Sequence, residues 1–206
     1  MESRASTRVE GTAVMGLIST TYLALTHSPS VGALAEPSDV VDITIERPAL
    51  EEYMRLWRTI GEPLNWDGRL RTSAEELATI LSSSDTEIHL ARIRGEAIGL
   101  CEFSMSASLG SEIVYFGLIP AFQGRRLGRY LLDIALRRHW KTHHPRHVWL
   151  HTDNGDDPRA LPLYERFGFQ AFAKVDMPET ATEADYRSVA RSRLAVATSD
   201  RGEQGE

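Results

Sequence analysis

Leu118-Ile-Pro-Ala-Phe-Gln-Gly-Arg-Arg-Leu-Gly-Arg129 is the stretch whose reading decides the fold. Upstream, Glu112 to Ile119 reads as a strand that stops at Pro120. Downstream, a helix starting near Arg125 carries Leu127, Leu131, Ile134 and Ala135 on one face and ends before Pro145. A strand, a short turn and a helix opening on Gly124 and Gly128 form a cradle for an anion. The glycines let backbone N–H groups come close, and the helix start contributes unpaired donors and partial positive charge. Arg125, Arg126 and Arg129 add cations in a chain of net charge -6, so a pyrophosphate-sized ligand suits the turn. The plainer alternative is a helix start with two glycines and solvated arginines. No Gly-Lys-Ser/Thr follows, which excludes a P-loop. A third glycine in dinucleotide spacing and a following strand with a ribose-binding acid are both missing.

Outward from this turn the pattern alternates between periods of two and 3.6. Val40 to Glu46 reads as a strand. Pro48 opens a helix with Leu50, Tyr53, Met54, Trp57 and Ile60 at helical spacing, stopped by Gly61. Glu62 to Arg69 is a loop by composition, and Thr72-Ser73 with Glu75 and Glu76 starts a second helix as in a capping box. Glu87 to Ile93 and Ile98 to Met105 form a hairpin around Arg94-Gly95-Glu96. After the long helix come a strand (His147 to Thr152), a short helix (Pro158 to Phe167, ended by Gly168) and a strand (Phe169 to Val175). The order β, α, α, β, β, β, α, β, α, β predicts a mixed α/β sheet with helices on its faces. Residues 1–38 read as a lead-in that wraps the domain or stays partly disordered, with an apolar patch at Tyr22 to Leu25. Residues 39–176 form the domain, and 177–206 a polar tail with a helix over Ala184 to Ala195.

Composition narrows the function classes. An apolar fraction of 42% and a charged fraction of 25% are those of a soluble globular protein. The single cysteine, Cys101, allows no intrachain disulfide and suits a reducing cytoplasm. The acidic balance argues against nucleic acid as a partner, and no apolar run is long enough for a membrane span. Ala13 to Ile18, preceded by Glu2 and Glu10, makes a poor signal peptide, and Met15 is an alternative start. His139, His143, His147 and His151 sit four apart, but Pro145 breaks the helix between them, so no metal is expected. Trp57 reads as core, and Trp66, in its Pro/Gly loop, as a lining residue of an acceptor pocket.

Gln123-Gly-Arg-Arg-Leu-Gly128 resembles the Gln/Arg-x-x-Gly-x-Gly/Ala signature with which GNAT acetyltransferases grip the pyrophosphate of acetyl-CoA. Arg126 stands where the family usually has glycine, which requires its φ to stay helical. A second motif, His151-Thr-Asp-Asn-Gly-Asp-Asp-Pro-Arg-Ala-Leu-Pro-Leu-Tyr-Glu-Arg-Phe-Gly-Phe169, looks like the element in which a short helix presents a tyrosine, here Tyr164, towards the CoA sulfur. Asp157 stands where the family often has a CoA-contacting asparagine, so it either contacts CoA or caps the helix. The two motifs are independent and in family order, and the resemblance covers roughly residues 40–175. The Trp66 loop and the second motif also resemble a bacterial subgroup of poorly defined substrate.

The resemblance implies a mostly antiparallel central sheet flanked by helices, with a V-shaped splay between two parallel strands. It implies acetyl-CoA as co-substrate, bound by Phe116, Gly117 and Leu118 and by residues 123–129, with Leu127 among them. The pantetheine arm would lie in the splay like an added strand. Gly117 suits a bulge that frees a backbone N–H, and the Leu118 N–H is the candidate donor to the thioester oxygen. Tyr164 would protonate the leaving thiolate, and Glu112 would be the general base, with Glu102, His151 and Asp153 as alternatives. The expected acceptor is a primary amine of a small molecule. A protein or peptide amine is the variant, and a CoA-binding regulatory module without catalysis is the rival. Many GNAT proteins form homodimers, which the sequence leaves open here.

Overall fold

The computed structural model describes residues 16–29, 32–37 and 41–199. The positions around Met15, Val40, and the end of the tail lie outside the described residues. Among the described residues, seven strands form one sheet: β1 (Leu17–Leu25), β2 (Asp42–Glu46), β3 (Thr86–Ile93), β4 (Glu96–Ser106), β5 (Gly110–Leu118), β6 (Val148–Asp153) and β7 (Gln170–Pro178). The same residues form five α-helices that flank it: α1 (Leu50–Gly61), α2 (Ala74–Ser82), α3 (Leu127–His143), α4 (Ala160–Arg166) and α5 (Glu183–Ser199). The strand order is β2-β3-β4-β5-β6-β1-β7, antiparallel throughout except for the β5–β6 pair. This is the mixed, mostly antiparallel sheet that the sequence predicts.

One element differs from the reading. Residues 17–25, taken as lead-in, form a strand inserted between β6 and β7 and antiparallel to both. The β6-α4-β7 unit therefore lays down two parallel strands with a gap one strand wide, and β1 fills it. The alternation that betrays β1 is two-sided. Leu23 and Leu25 face α3 and α4 in one cluster with Leu132, Leu150 and Phe169. Tyr22 and Ala24 face α5 in another with Trp149, Ala190 and Leu194. Because both faces are apolar, the run lacks the in/out polarity of a half-exposed strand.

The remaining core explains the early helices. Tyr53, Leu56, Trp57 and Ile60 of α1 and Leu77 and Leu81 of α2 close over Ile88, Leu90 and Leu100. Ser73 and Glu76 make the reciprocal capping box at the start of α2. The tail carries its own version of that signal. Thr182 Oγ1 donates to Asp185 Oδ2 at 2.7 Å and accepts from the Asp185 N–H, which starts α5. The sheet thus takes one strand, β1, from the N-terminal flank of residues 39–176 and a covering helix, α5, from the C-terminal flank.

Candidate active site

β5 and β6 pair only at Ser111–Val148 and Glu112–Trp149, then diverge. The resulting cleft is a cavity of about 830 Å³ that reaches from the start of α3 to α5. Ile119 N–H donates to Ile98 O at 2.9 Å, which makes Leu118–Gly99 the next, non-hydrogen-bonded pair of the ladder. The Leu118 N–H and C=O therefore turn away from β4 into the cleft, and by alternation so do those of Phe116. Gly117 does not carry the bulge that its sequence suggests. It sits in register opposite Leu100, and the extra residue is Val114, between Tyr115 and Ile113. Gly117 is needed for space instead: a Cβ there would lie 2.5 Å from Ile60 Cγ2.

The cradle is built as a tight turn. Pro120–Phe122 form one 3-10 turn, and Gln123 Nε2 donates to Leu118 O at 3.1 Å. Gly124 has φ +76°. Arg126 departs from the expectation of a helical φ. It adopts φ +65°, ψ +4°, the left-handed conformation in which a Cβ is unfavourable, and α3 begins only at Leu127. Its side chain does not cap the helix, and a guanidinium offers the first-turn N–H groups no acceptor. Gln123, Gly124, Arg126, Gly128 and Arg129 line the cavity. Two predicted binders do not: the Leu127 side chain is buried in the core, and the Arg125 guanidinium lies over the Phe122 ring at 5.0 Å.

Asp157 borders the same end of the cavity, but its carboxylate is taken. Oδ1 accepts from the N–H and Nε of Arg159, at 2.9 and 2.8 Å, and Arg159 in turn reaches Gln123 Oε1 at 2.9 Å. Arg159 holds the Asp157 carboxyl below its ordinary range. Asp157 thus ends the turn before α4 and braces Arg159 against the cradle, where the positive charge of Arg126, Arg129 and Arg159 collects.

At the other end stand the groups of acid–base chemistry. Tyr164, from α4, is buried against Phe116 and Phe169 and lines the cavity. Burial, with the charge of Asp156, pushes its phenol well above the ordinary tyrosine range. Glu112 lies where β5 and β6 part, only 4% exposed. Burial pushes its carboxyl up to about 7, against the opposing pull of Arg187. Of the alternative bases, Glu102 is sealed behind the cavity, ion-paired with Arg69 and bonded to Tyr53. His151 stacks on Tyr186 at 4.2 Å and is desolvated down to about 4, which leaves it a weak base. Asp153 borders the cavity, and burial raises its carboxyl.

Residues that the sequence reading missed complete this end. Glu183 accepts from Tyr115 Oη at 2.6 Å, Arg187 pairs with Glu112, and Asp156 accepts from Thr152 Oγ1 and from Trp66 Nε1. Asp67, Asp153, Asp156 and Glu183 line this half of the cavity; Arg71 pairs with Asp67, and Arg69 and Arg187 each lie 3.7 Å from Glu183, so its acidic character, opposite in sign to the cradle, rests chiefly on Asp153 and Asp156. The Thr182-Glu-Ala-Asp185 helix start was the available pointer to α5, whereas its packing over the cleft has no local pattern.

A sheet splayed between two parallel strands, with a helix start at one lip and a short tyrosine-bearing helix at the other, is the architecture of an acetyltransferase. Solved structures with the same fold include a GCN5-related N-acetyltransferase from Sphaerobacter thermophilus (18% identity, TM-score 0.57, 81% of this chain and 54% of that one). Another from Kribbella flavida has 16% identity, a TM-score of 0.53 and coverage of 83% and 62%. AAC(6')-Iy bound to the bisubstrate analogue CoA-S-monomethyl-acetylneamine has 18% identity, a TM-score of 0.53 and coverage of 69% and 99%. The chain spans between 52% and 62% of the length of the first four structures it matches. Comparison with curated protein sequences gave no match. Residues 49–169, more than half of the chain, match the family model of the Acetyltransferase (GNAT) family, and the chain belongs to that family of acyltransferases.

Proposed function

We propose that this chain transfers the acetyl group of acetyl-CoA to a primary amine of a small molecule by direct attack. The observation that carries the reading is the polarity of one continuous cavity: cationic and donor-rich at the cradle, acidic beyond Tyr164, with the Leu118 N–H aimed into the gap between them. A pyrophosphate suits the first end and a cationic amine the second. The cavity volume is that of a small-molecule site. The resemblance of the fold to AAC(6')-Iy, whose complex holds a small amine joined to CoA, supports the same acceptor class.

The residues then divide the work. First-turn N–H groups of α3 with Arg126 and Arg129 take the pyrophosphate. Backbone groups of Phe116 and Leu118 take the pantetheine arm as a strand neighbour. The amine loses its proton to Glu112, directly or through water, and its nitrogen attacks the thioester carbon. The oxygen of that carbonyl gains charge and accepts from the Leu118 N–H. The C–S bond breaks, the thiolate takes the Tyr164 proton, and the former amine nitrogen sheds the extra proton left on it, which restores the Tyr164 phenol. The test is acetyl-CoA binding by calorimetry together with thiol release across an amine and peptide panel. Small-amine-dependent release is the expected result, and release with peptides alone would overturn the acceptor class.

A further inference from the structure

We propose that Glu87, His139 and His143 form a site for a divalent transition-metal ion, zinc in the first instance, on the α3–β3 face and separate from the acetyl-transfer cavity. The coordinating atoms of these three side chains all lie within 4.8 Å of one another. His139 and His143 are one turn apart near the end of α3, with ring centroids 4.7 Å apart, and β3 raises Glu87 between them. Glu87 Oε1 is 2.8 Å from His139 Nδ1, and Oε2 is 2.8 Å from His143 Nε2. Two imidazoles and a carboxylate are a zinc ligand set, and an i, i+4 histidine pair on a helix is a usual way to present two of them. Zinc bonds of about 2.0–2.1 Å set tetrahedral ligand separations near 3.3 Å, so each of the two carboxylate–imidazole contacts would lengthen by roughly half an ångström.

The support around the trio is what sets it apart from a chance cluster. A ligating histidine is oriented by a partner on its other nitrogen, and a ligating carboxylate by a further donor. His139 Nε2 lies 2.8 Å from Ser111 Oγ, and His89 Nε2 lies 2.8 Å from Glu87 Oε1. His139 and His89 are fully buried, and His139 is stacked on Phe103 with centroids 4.0 Å apart, so its ring plane is held. An entry path exists. The His143 side chain is 29% exposed and, with Ser111 and Asp85, borders a surface cavity from which water can supply a fourth ligand.

This site departs from the sequence reading, which expected no metal from the four histidines because Pro145 breaks the helix between them. His147 bonds Leu109 O and His151 packs under α5, so only the two on α3 converge, and their partner comes from a strand fifty residues away. An ion here would tie the end of α3 to β3 and stabilise the fold without entering the reaction, since none of the three residues borders the large cavity.

Chelator-treated full-length protein titrated with Zn²⁺ alone decides the matter. Calorimetry should give one tight site per chain, with a rise in Tm. His143→Asn, at a partly exposed position, should weaken that site about tenfold or more, and His147→Ala should not. Co²⁺ at one equivalent should give the intense visible bands of a low-coordinate site in the unmutated protein, a readout that needs no variant. Absence of stoichiometric Zn²⁺ binding, equal affinity in His143→Asn, or only weak octahedral Co²⁺ absorption would each reduce the cluster to a hydrogen-bonded core network. Acetyl-transfer activity plays no part in this test, so it stands apart from the proposed function.

Discussion

Arg187 Nε lies 2.6 Å from Glu112 Oε2, so a helix that follows the last strand holds the carboxylate standing where β5 and β6 separate. The pair is buried on the glutamate side and half-open on the arginine side. Arg187 thereby sets how easily Glu112 ionises.

With Glu112 titrating at about 7, the wild-type kcat/KM should climb as pH rises through that value, because only the carboxylate accepts a proton. Arg187→Ala removes the compensating charge, and the rising limb should move to higher pH. Glu112→Gln should lower kcat/KM by about 10²-fold or more and abolish the limb. The linkage has a definite sign. The folded-state value lies above the unfolded value of 4.5, so the native protein holds this proton more tightly, and the contribution of Glu112 to stability falls as pH rises from 4.5 to 7. Thermal melts of Glu112→Gln should therefore lose less stability over that interval than those of the wild type. An unmoved limb in Arg187→Ala would exclude Glu112 as the titrating base.

Tyr164→Phe should lower kcat by about 10²-fold while leaving acetyl-CoA affinity within a factor of two or so. The phenol is buried and its ionisation is pushed upward, so no fall in rate from its deprotonation should appear below about pH 10. Single-turnover thiol release, compared with calorimetric binding, separates the two effects. Equal turnover in the variant would remove Tyr164 from the proton path.

Arg126 tests the cradle. A residue other than glycine at φ +65° carries a cost of about 1–2 kcal/mol, and glycine returns part of that as unfolded-state entropy of roughly 0.4–1 kcal/mol. Arg126→Gly should thus keep or slightly raise Tm, while Arg126→Val, β-branched in the same conformation, should lower it. The glycine variant also loses a cation from the phosphate end, so its affinity for acetyl-CoA should become less salt-sensitive. A large drop in Tm for Arg126→Gly would mean that the side chain makes a stabilising contact.

What could be read from the sequence was local. The α2 capping box, the Arg94-Gly95 hairpin and the strand–turn–helix around Gly124 each depend on residues a few positions apart, and each stands where periodicity puts it. What escaped is long-range. The partner that gives Glu112 its character is Arg187, and Glu87 meets His139 and His143 only because α3 crosses β3. Arg126 was read as helical because the motif supplies the residue but not its φ. The Gly117 bulge failed for a related reason: a glycine marks either a bulge or a close approach, and only the position of Ile60 decides between them.

The same limit applies to β1, and it yields the last prediction. Leu23 is fully buried and paired with Leu150 on one side and Ala171 on the other, so the strand closes two ladders at once. Leu23→Ala should cost about 2–5 kcal/mol, the range for a buried leucine truncated in a rigid core. Leu17, on the same strand but 65% exposed, should tolerate the same change with a loss below about 0.5 kcal/mol. Denaturant titration of the two variants gives the comparison. If residues 17–25 were an accessory lead-in, both variants would unfold at the wild-type midpoint. If β1 is the strand that joins β6 to β7, Leu23→Ala alone should shift it. A lower slope for that variant would show β7 detaching before the rest of the sheet, since β1 is its only neighbour among the described strands.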